Sequence, residues 1–371
     1  MERKGNISLN LLKIISIWFV VGKHFLSHSG YLSNALNSFR MEANLVWFVR
    51  SFIMVAVNCF VLITGYYQSD KESIKLRKCS ALMDAMLFYS IAISVIMVVL
   101  LHKKLTMVQA IYTLFPFSTK SYWYMTCYLV LYLMSPYINR AFNNLNKKTL
   151  GKVLLVAVVL FSIIPTVFNS IYSTLDDTNG FGIIWFVVLY LTGFWLRKSG
   201  FHFCHSITAP GLYVVSCILT FMISVSMNWI GMHVYSGFQG YPISNLGYNY
   251  VTVYVASVAL FLTFLQISVP TGFGRMINVI AGCTGGGVYL IHEHPVLREV
   301  LFTQLLRCDR YINEWKWIVI FVPITWIIVA ICVVIEMIRQ KYIAGKLHVV
   351  ENLAFSTLSG CNRKCKRKRR K

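Results

Sequence analysis

Two side chains in the first apolar stretch, Lys13 and His24, have the types and spacing for chemistry. They lie eleven positions apart in a run reading LNLLKIISIWFVVGKHFL. At ~100° per residue that interval is about three full helical turns, so both face the same way, roughly 16 Å apart along the axis. Asn10 falls one turn before Lys13 on this face and His28 one turn after His24, while Leu12, Ile15, Trp18, Phe19 and Phe25 cover the others. A cation at one depth and an imidazole at another suit an extended ligand, held by charge at one end and acted on by a proton acceptor at the other. The alternative is structural: Lys13 snorkels to the nearer headgroups and His24 ends the helix beside polar loop groups.

The element that must carry this stripe is a membrane helix. The chain has 371 residues, 57% hydrophobic and 13% charged, with mean hydropathy +0.62. That composition belongs to a polytopic helical membrane protein. The net charge of +22 does not point to nucleic acid, because no hydrophilic segment is long enough to fold into a basic surface. The first stretch has a long apolar run, and Phe25-Leu26-Ser27-His28 is a poor cleavage site, so it reads as an uncleaved span. The ten cysteines are scattered and mostly apolar in context. Cys361 and Cys365 form a lone C-x3-C, so no metal site is expected.

Hydropathy gives about ten spans: 9–27, 45–66, 82–102, 122–139, 152–168, 182–197, 209–230, 249–267, 278–302 and 315–338. The expectation is an all-α integral membrane domain over residues 1–340 and a basic tail over 341–371. Of the Lys and Arg that flank these spans, 24 fall on one side and 7 on the other, and the segments 169–181 and 231–248 have none. This bias predicts both termini in the cytoplasm, the Lys13 end of the first span nearer the cytoplasm and His24 nearer the outside. The tail reads as an orientation signal and a contact for anionic lipid.

Further polar groups sit where lipid would not tolerate them. Asn58 lies within the second span, which closes on Thr64-Gly65-Tyr66-Tyr67. Lys71, Lys75, Arg77 and Lys78 follow at once, either as an orienting loop or as a cradle for phosphates. Aromatics open the fourth span (Tyr122, Trp123, Tyr124) and the sixth (Trp185, Phe186), as an interfacial belt or as pocket walls. The sixth ends Thr192-Gly193-Phe194-Trp195-Leu196-Arg197-Lys198. The ninth span contains Thr284-Gly285-Gly286-Gly287-Val288-Tyr289-Leu290-Ile291-His292-Glu293-His294-Pro295. Such a stretch belongs at a helix break or against a cavity. His292 there either fixes the break by bonding a neighbouring helix or shares a pocket with His24, together with Tyr289 and Glu293.

In their order along most of the chain, these features resemble the membrane-bound acyltransferase family 3: the Lys13-x10-His24 pair, the ITGYY turn, the YWY and IWF openings, the TGFWLRK end and the GVYLIH stretch. The resemblance is greatest to the Gram-positive-type branch that O-acetylates capsular or other surface polysaccharides. It implies an enzyme of a bacterial cell membrane that moves an acetyl or other short acyl group from cytoplasmic acetyl-CoA (acyl-CoA) to a hydroxyl of a surface polysaccharide or its lipid-linked precursor. Acyl-CoA is then a co-substrate, with no bound cofactor. Lys13, Lys71, Lys75, Arg77 and Lys78 would hold the donor. His24 would act as general base, and Asn10, Asn58, Trp123, Tyr124, Trp185, Tyr289, His292 and Glu293 would line the pocket. The chain departs from the pattern in having Asn10 where many members have Asp, Lys13 where many have Arg, and Thr64 for the usual Ser. Lys13 keeps the cation without the guanidinium fork. Two other readings fit the composition, a transporter or flippase for a lipid-linked sugar and a non-catalytic receptor, but transporter-type repeats are missing and the outer loops are short.

Overall fold

The computed structural model describes residues 6–36, 38–102, 104–168, 178–203, 205–238 and 247–344. Arg3, Lys4, Lys103, Cys361, Cys365 and all of the expected tail beyond residue 344 lie outside them. The described residues form helices and connecting turns, with no strand.

The principal helices are α1 (Ile7–His28), α2 (Tyr31–Leu36), α3 (Met41–Ile53), α4 (Ala56–Gln68), α5 (Leu76–Leu101), α6 (Met107–Leu114), α7 (Trp123–Asn143), α8 (Lys147–Val158), α9 (Ile164–Phe168), α10 (Ile183–Ser199), α11 (Thr208–His233), α12 (Val251–Gln266), α13 (Gly274–Thr284), α14 (Gly287–His292), α15 (Leu297–Glu299) and α16 (Trp317–Arg339). Six helical stretches are long and apolar enough to cross a membrane: Ile7–His28, Met41–Gln68, Leu76–Leu101, Lys147–Phe168, Thr208–His233 and Trp317–Ile343. The other four expected spans coincide with α7, which is long but less apolar, with the shorter α10 and α12, and with the broken series α13–α15. Large apolar side chains such as Val99, Leu100, Leu219, Ile327, Ile331 and Val334 are exposed on the outer faces of these long helices. That is the inverse of a water-soluble surface and the pattern lipid requires.

α1 lies at the centre. Asn6 caps its first turn by accepting from the Ser8 N–H at 2.9 Å. Its sides pack on α3, α4, α12, α13, α14 and α16. One apolar core joins it to α3, α5, α14 and α16 around Phe25, Trp47, Phe302 and Trp317. A second is built on α4, α10 and α12 around Trp185, Phe186, Phe194 and Phe261. The polar stripe thus faces protein on every side.

Two glycines bring α4 and α10 into backbone contact. A Cβ at Gly65 would run into the Tyr190 carbonyl, and one at Gly193 into the Leu62 carbonyl. Small residues permit such close approach between membrane helices, where packing drives association. Gly65→Ala or Gly193→Ala must push the helices apart, and overpacking of this kind costs ~1–3 kcal/mol. Each variant is expected to melt several degrees lower in detergent; an unchanged melting temperature for both would show that this crossing contributes little.

The ninth apolar stretch is broken, as its composition predicts. α13 stops at Thr284, Gly285 and Gly286 turn the chain, and α14 runs only to His292 before the turn at Glu293–Pro295. At Gly287 the bare backbone admits the Glu336 side chain of α16, whose Cγ would be 2.5 Å from any Cβ there.

Candidate active site

The two helix ends that face each other are the last turns of α1 and α14. His24 Nδ1 is 2.9 Å from His292 Nε2 and 3.1 Å from Glu293 Oε2. His28, one turn on, donates from Nε2 to the same carboxylate oxygen at 2.8 Å. Arg298, after Pro295 turns the chain, donates to Glu293 Oε1 at 2.9 Å. Glu293 is the anion at the centre of this cluster, and its side chain is 11% exposed.

Hydrogen-bond directions fix the tautomers. His292 Nδ1 faces the Val288 carbonyl at 2.5 Å, which can only accept, so that nitrogen carries the proton and Nε2 is an acceptor. His24 Nδ1 then has two acceptors, His292 Nε2 and Glu293 Oε2, and must carry its own proton toward them. The lone pair of His24 is thereby assigned to Nε2. An imidazole whose far nitrogen is held protonated by a carboxylate is ready to take a proton with the other. His294 is different in kind: its ring meets the Ser90 carbonyl at 3.1 Å and accepts from the Val296 N–H at 3.2 Å, pinning the turn to α5.

His24 lines a narrow passage of about 20 Å3 with Val20, Phe60, Trp123, Tyr124, Tyr248, Gly285 and Tyr289. Phe60, Tyr124 and Gly285 also wall a cavity of about 440 Å3 toward the other end of α1. Lys13, Lys78, Arg339, Tyr67, Tyr128, Gln68 and Glu336 line that cavity. The cation and the imidazole of the polar stripe therefore line two adjoining cavities separated by these shared walls. Lys13 Nζ donates to Asn10 Oδ1 at 3.0 Å, and Asn10 Nδ2 to Asn278 Oδ1 at 2.8 Å, so Asn10 orients the cation without the charge an Asp would add.

The structure brings Lys13, Lys78, Tyr124, Trp123, His24, Tyr289, His292 and Glu293 to these cavities or their immediate walls. Others on the expected site lie elsewhere. Asn58 and Trp185 sit behind the wall: the Trp185 indole donates to Asn58 Oδ1 at 3.1 Å, and the Asn58 amide donates to the Tyr248 carbonyl at 2.9 Å and to Ser257 at 3.0 Å. They hold Tyr248 in place. Lys71, Lys75 and Arg77 are exposed and do not line the cavity. Their loop is anchored instead by the Asn139 amide, which donates to the Gln68 and Lys71 carbonyls at 2.6 and 2.7 Å. Only Lys78 of that basic run reaches the cavity wall, where it donates to the Tyr128 hydroxyl at 3.0 Å and lies over the Tyr132 ring.

Several residues stand at the site that the sequence reading did not assign to it. Arg298 and His28 complete the Glu293 cluster. Glu336 takes two bonds from the Arg339 guanidinium, at 2.7 and 2.8 Å, and one from the Tyr89 hydroxyl at 2.6 Å, beneath Gly287. Lys23 donates to the Tyr248 hydroxyl at 2.6 Å. The available signal was ionisable residues at membrane depth, such as Lys23 and Glu336; their partners are set by tertiary packing.

A family model described as an acyltransferase domain matches residues 6–337, which takes in every element of the cavity and the histidine cluster except the last two residues of α16, among them Arg339. No curated protein and no solved structure matches the chain. With helices of membrane length and the match running through nearly all of them, the chain belongs to acyltransferase family 3 and is a membrane acyltransferase.

Proposed function

We propose that this protein is an O-acyltransferase that takes an acetyl or other short acyl group from acyl-CoA and transfers it to a hydroxyl of a surface polysaccharide or its lipid-linked precursor. The observation that carries this reading is that the cavity at Lys13 adjoins the passage at His24, with Phe60, Tyr124 and Gly285 lining both. The charge bias of the loops sets the Lys13 end toward the cytoplasm of a bacterial cell, with both termini on that side. Acyl-CoA enters there, and Lys13 and Lys78 attract its phosphates. The pantetheine arm extends through the cavity, and the thioester stops at the constriction.

There the acceptor hydroxyl loses its proton to His24 Nε2 as its oxygen bonds to the thioester carbon. The C–S bond then breaks, and the proton on His24 passes to the departing thiolate. Glu293 stabilises the imidazolium between these events and restores the same tautomer. The open space at the constriction, about 20 Å3, favours passing an acyl group over passing a sugar, which weighs against a flippase.

Removal of the gene is expected to abolish one acyl ester from the cell-surface polysaccharide, seen as loss of its acyl resonances by NMR, with the polysaccharide itself still exported. Loss of the whole polysaccharide with no ester missing from what remains would favour transport. Lys13 supplies a separate check. Lys13→Arg keeps a cation at that depth and is expected to retain substantial activity, whereas Lys13→Ala should raise the acyl-CoA KM about tenfold or more, the loss typical of a charge-assisted contact of ~1.5–3 kcal/mol. Unchanged KM and kcat in Lys13→Ala would return Lys13 to a headgroup contact.

A further inference from the structure

Tyr124, Tyr248 and Tyr289 line the constriction, and Tyr122 packs against Tyr289 behind it. Tyr122 donates to the Leu290 carbonyl at 3.1 Å, and Tyr248 accepts from Lys23 at 2.6 Å. Tyr289 is 5% exposed, and its buried hydroxyl finds no acceptor among the described residues. The Tyr124 backbone N–H, a donor, faces the same phenol oxygen, which still leaves the phenol proton without an acceptor. Leaving a buried hydroxyl unsatisfied costs ~1–3 kcal/mol, and native proteins keep such groups where they have work to do. Tyr289 is held where it stands. Its ring lies 6.2 Å from that of His24, 5.8 Å from Tyr124 and 6.0 Å from Tyr122. It sits on α14, three residues before His292, so the helix that orients the His24 imidazole also sets the phenol. It lines the passage with His24, between the donor cavity and the histidine cluster.

We infer that the Tyr289 hydroxyl is the oxyanion donor of the acyl transfer, a catalytic residue that bonds the thioester carbonyl oxygen. This rests on the acyl-transfer reading of the site. When the acceptor oxygen bonds to the carbonyl carbon and His24 takes its proton, the carbonyl π pair moves onto oxygen. Tyr289 donates its hydrogen bond to that oxyanion and keeps its own proton. The pair returns as the C–S bond breaks, the thiolate leaves with the pair of that bond, and His24 protonates it, giving an ester and free CoA. A donor that is buried and held in place needs no reorganisation when the charge appears. The absence of a partner in the resting protein is what this role requires and what a structural hydroxyl would lack.

The test is Tyr289→Phe in the full-length protein in detergent, with His24→Ala alongside, scored by CoA thiol release from acetyl-CoA in the presence of de-esterified surface polysaccharide. Tyr289→Phe should lower kcat about 10²-fold, as loss of an oxyanion donor does, with acetyl-CoA KM changed less than about threefold. Its melting temperature should hold or rise, because an unsatisfied buried hydroxyl has been removed. A kcat within about threefold of wild type in Tyr289→Phe, with His24→Ala inactive, would overturn this inference alone. A fall in melting temperature that accounts for the lost activity would overturn it in favour of a packing role. Full activity in His24→Ala would instead defeat the underlying acyl-transfer reading.

Discussion

Replacement of His24 by alanine is expected to lower acyl transfer by ~10²–10⁴-fold, the range for losing a general acid–base group, while the protein still inserts and purifies as the wild type does. The basis is the directed chain of bonds from the Val288 carbonyl through His292 and Glu293, which fixes the proton on His24 Nδ1 and leaves Nε2 basic at the passage. Among the described residues, nothing else lining the passage offers an imidazole or carboxylate to replace it. His24→Gln is the matched control, since it keeps a polar side chain of similar reach but accepts no proton. Both variants should retain acyl-CoA binding, because the donor's charged end is held near Lys13, roughly three helical turns away. Activity within about twofold of wild type in either variant would remove His24 from the chemistry.

The second large effect is expected at Glu293. Glu293→Gln preserves shape but removes the one anion that takes bonds from His24, His28 and Arg298. Two consequences follow. The amide can present its NH2 to His24 Nδ1, which stabilises the tautomer with the proton on Nε2, where it blocks the base. It also leaves Arg298 without its carboxylate and withdraws the charge that stabilises an imidazolium. A fall of about 10²-fold or more in kcat is expected, with acyl-CoA KM little altered. The cluster is also structural, and breaking a buried charged network by removing one partner costs ~3–5 kcal/mol, so the melting temperature should fall as well. The deciding readout is kcat normalised to the folded, acyl-CoA-binding fraction, since a purely structural loss would restore wild-type kcat per folded molecule whereas a chemical role would not. Wild-type kcat in Glu293→Gln would show that His24 needs no carboxylate behind it.

The stripe on α1 was legible because helical periodicity maps sequence spacing onto a face, and Lys13 and His24 do line adjoining cavities. The break in the ninth apolar stretch was legible because Gly285, Gly286 and Pro295 interrupt a helix for local reasons. The pairing of His292 with His24 could be posed from sequence only as one of two readings, since a tertiary contact across 268 positions leaves no local trace. Its outcome combines both: His292 bonds the Val288 carbonyl of its own helix and the catalytic candidate at once. Asn58 and Trp185 were expected at the pocket because polar and aromatic groups at membrane depth attract attention, yet they satisfy each other behind Tyr248. The basic run after α4 divides for a related reason. Its charges are obvious in sequence, but which of them turns inward depends on where α5 begins, and only Lys78, within the first turn of α5, does so. Arg339, at the far end of the chain, could be placed at the same cavity only by the packing of α16 against α13 and α14.

The most direct test of the central claim is a sided transfer assay with full-length protein in sealed proteoliposomes of known orientation. Acetyl-CoA labelled in the acetyl group is supplied on the Lys13 side, and de-esterified surface polysaccharide on the His24 side. The account predicts label in alkali-labile ester on the polysaccharide, dependent on acetyl-CoA at the Lys13 side and absent in His24→Ala vesicles. Movement of glycan across the membrane without acetyl-CoA, and with no labelled ester formed, would contradict it.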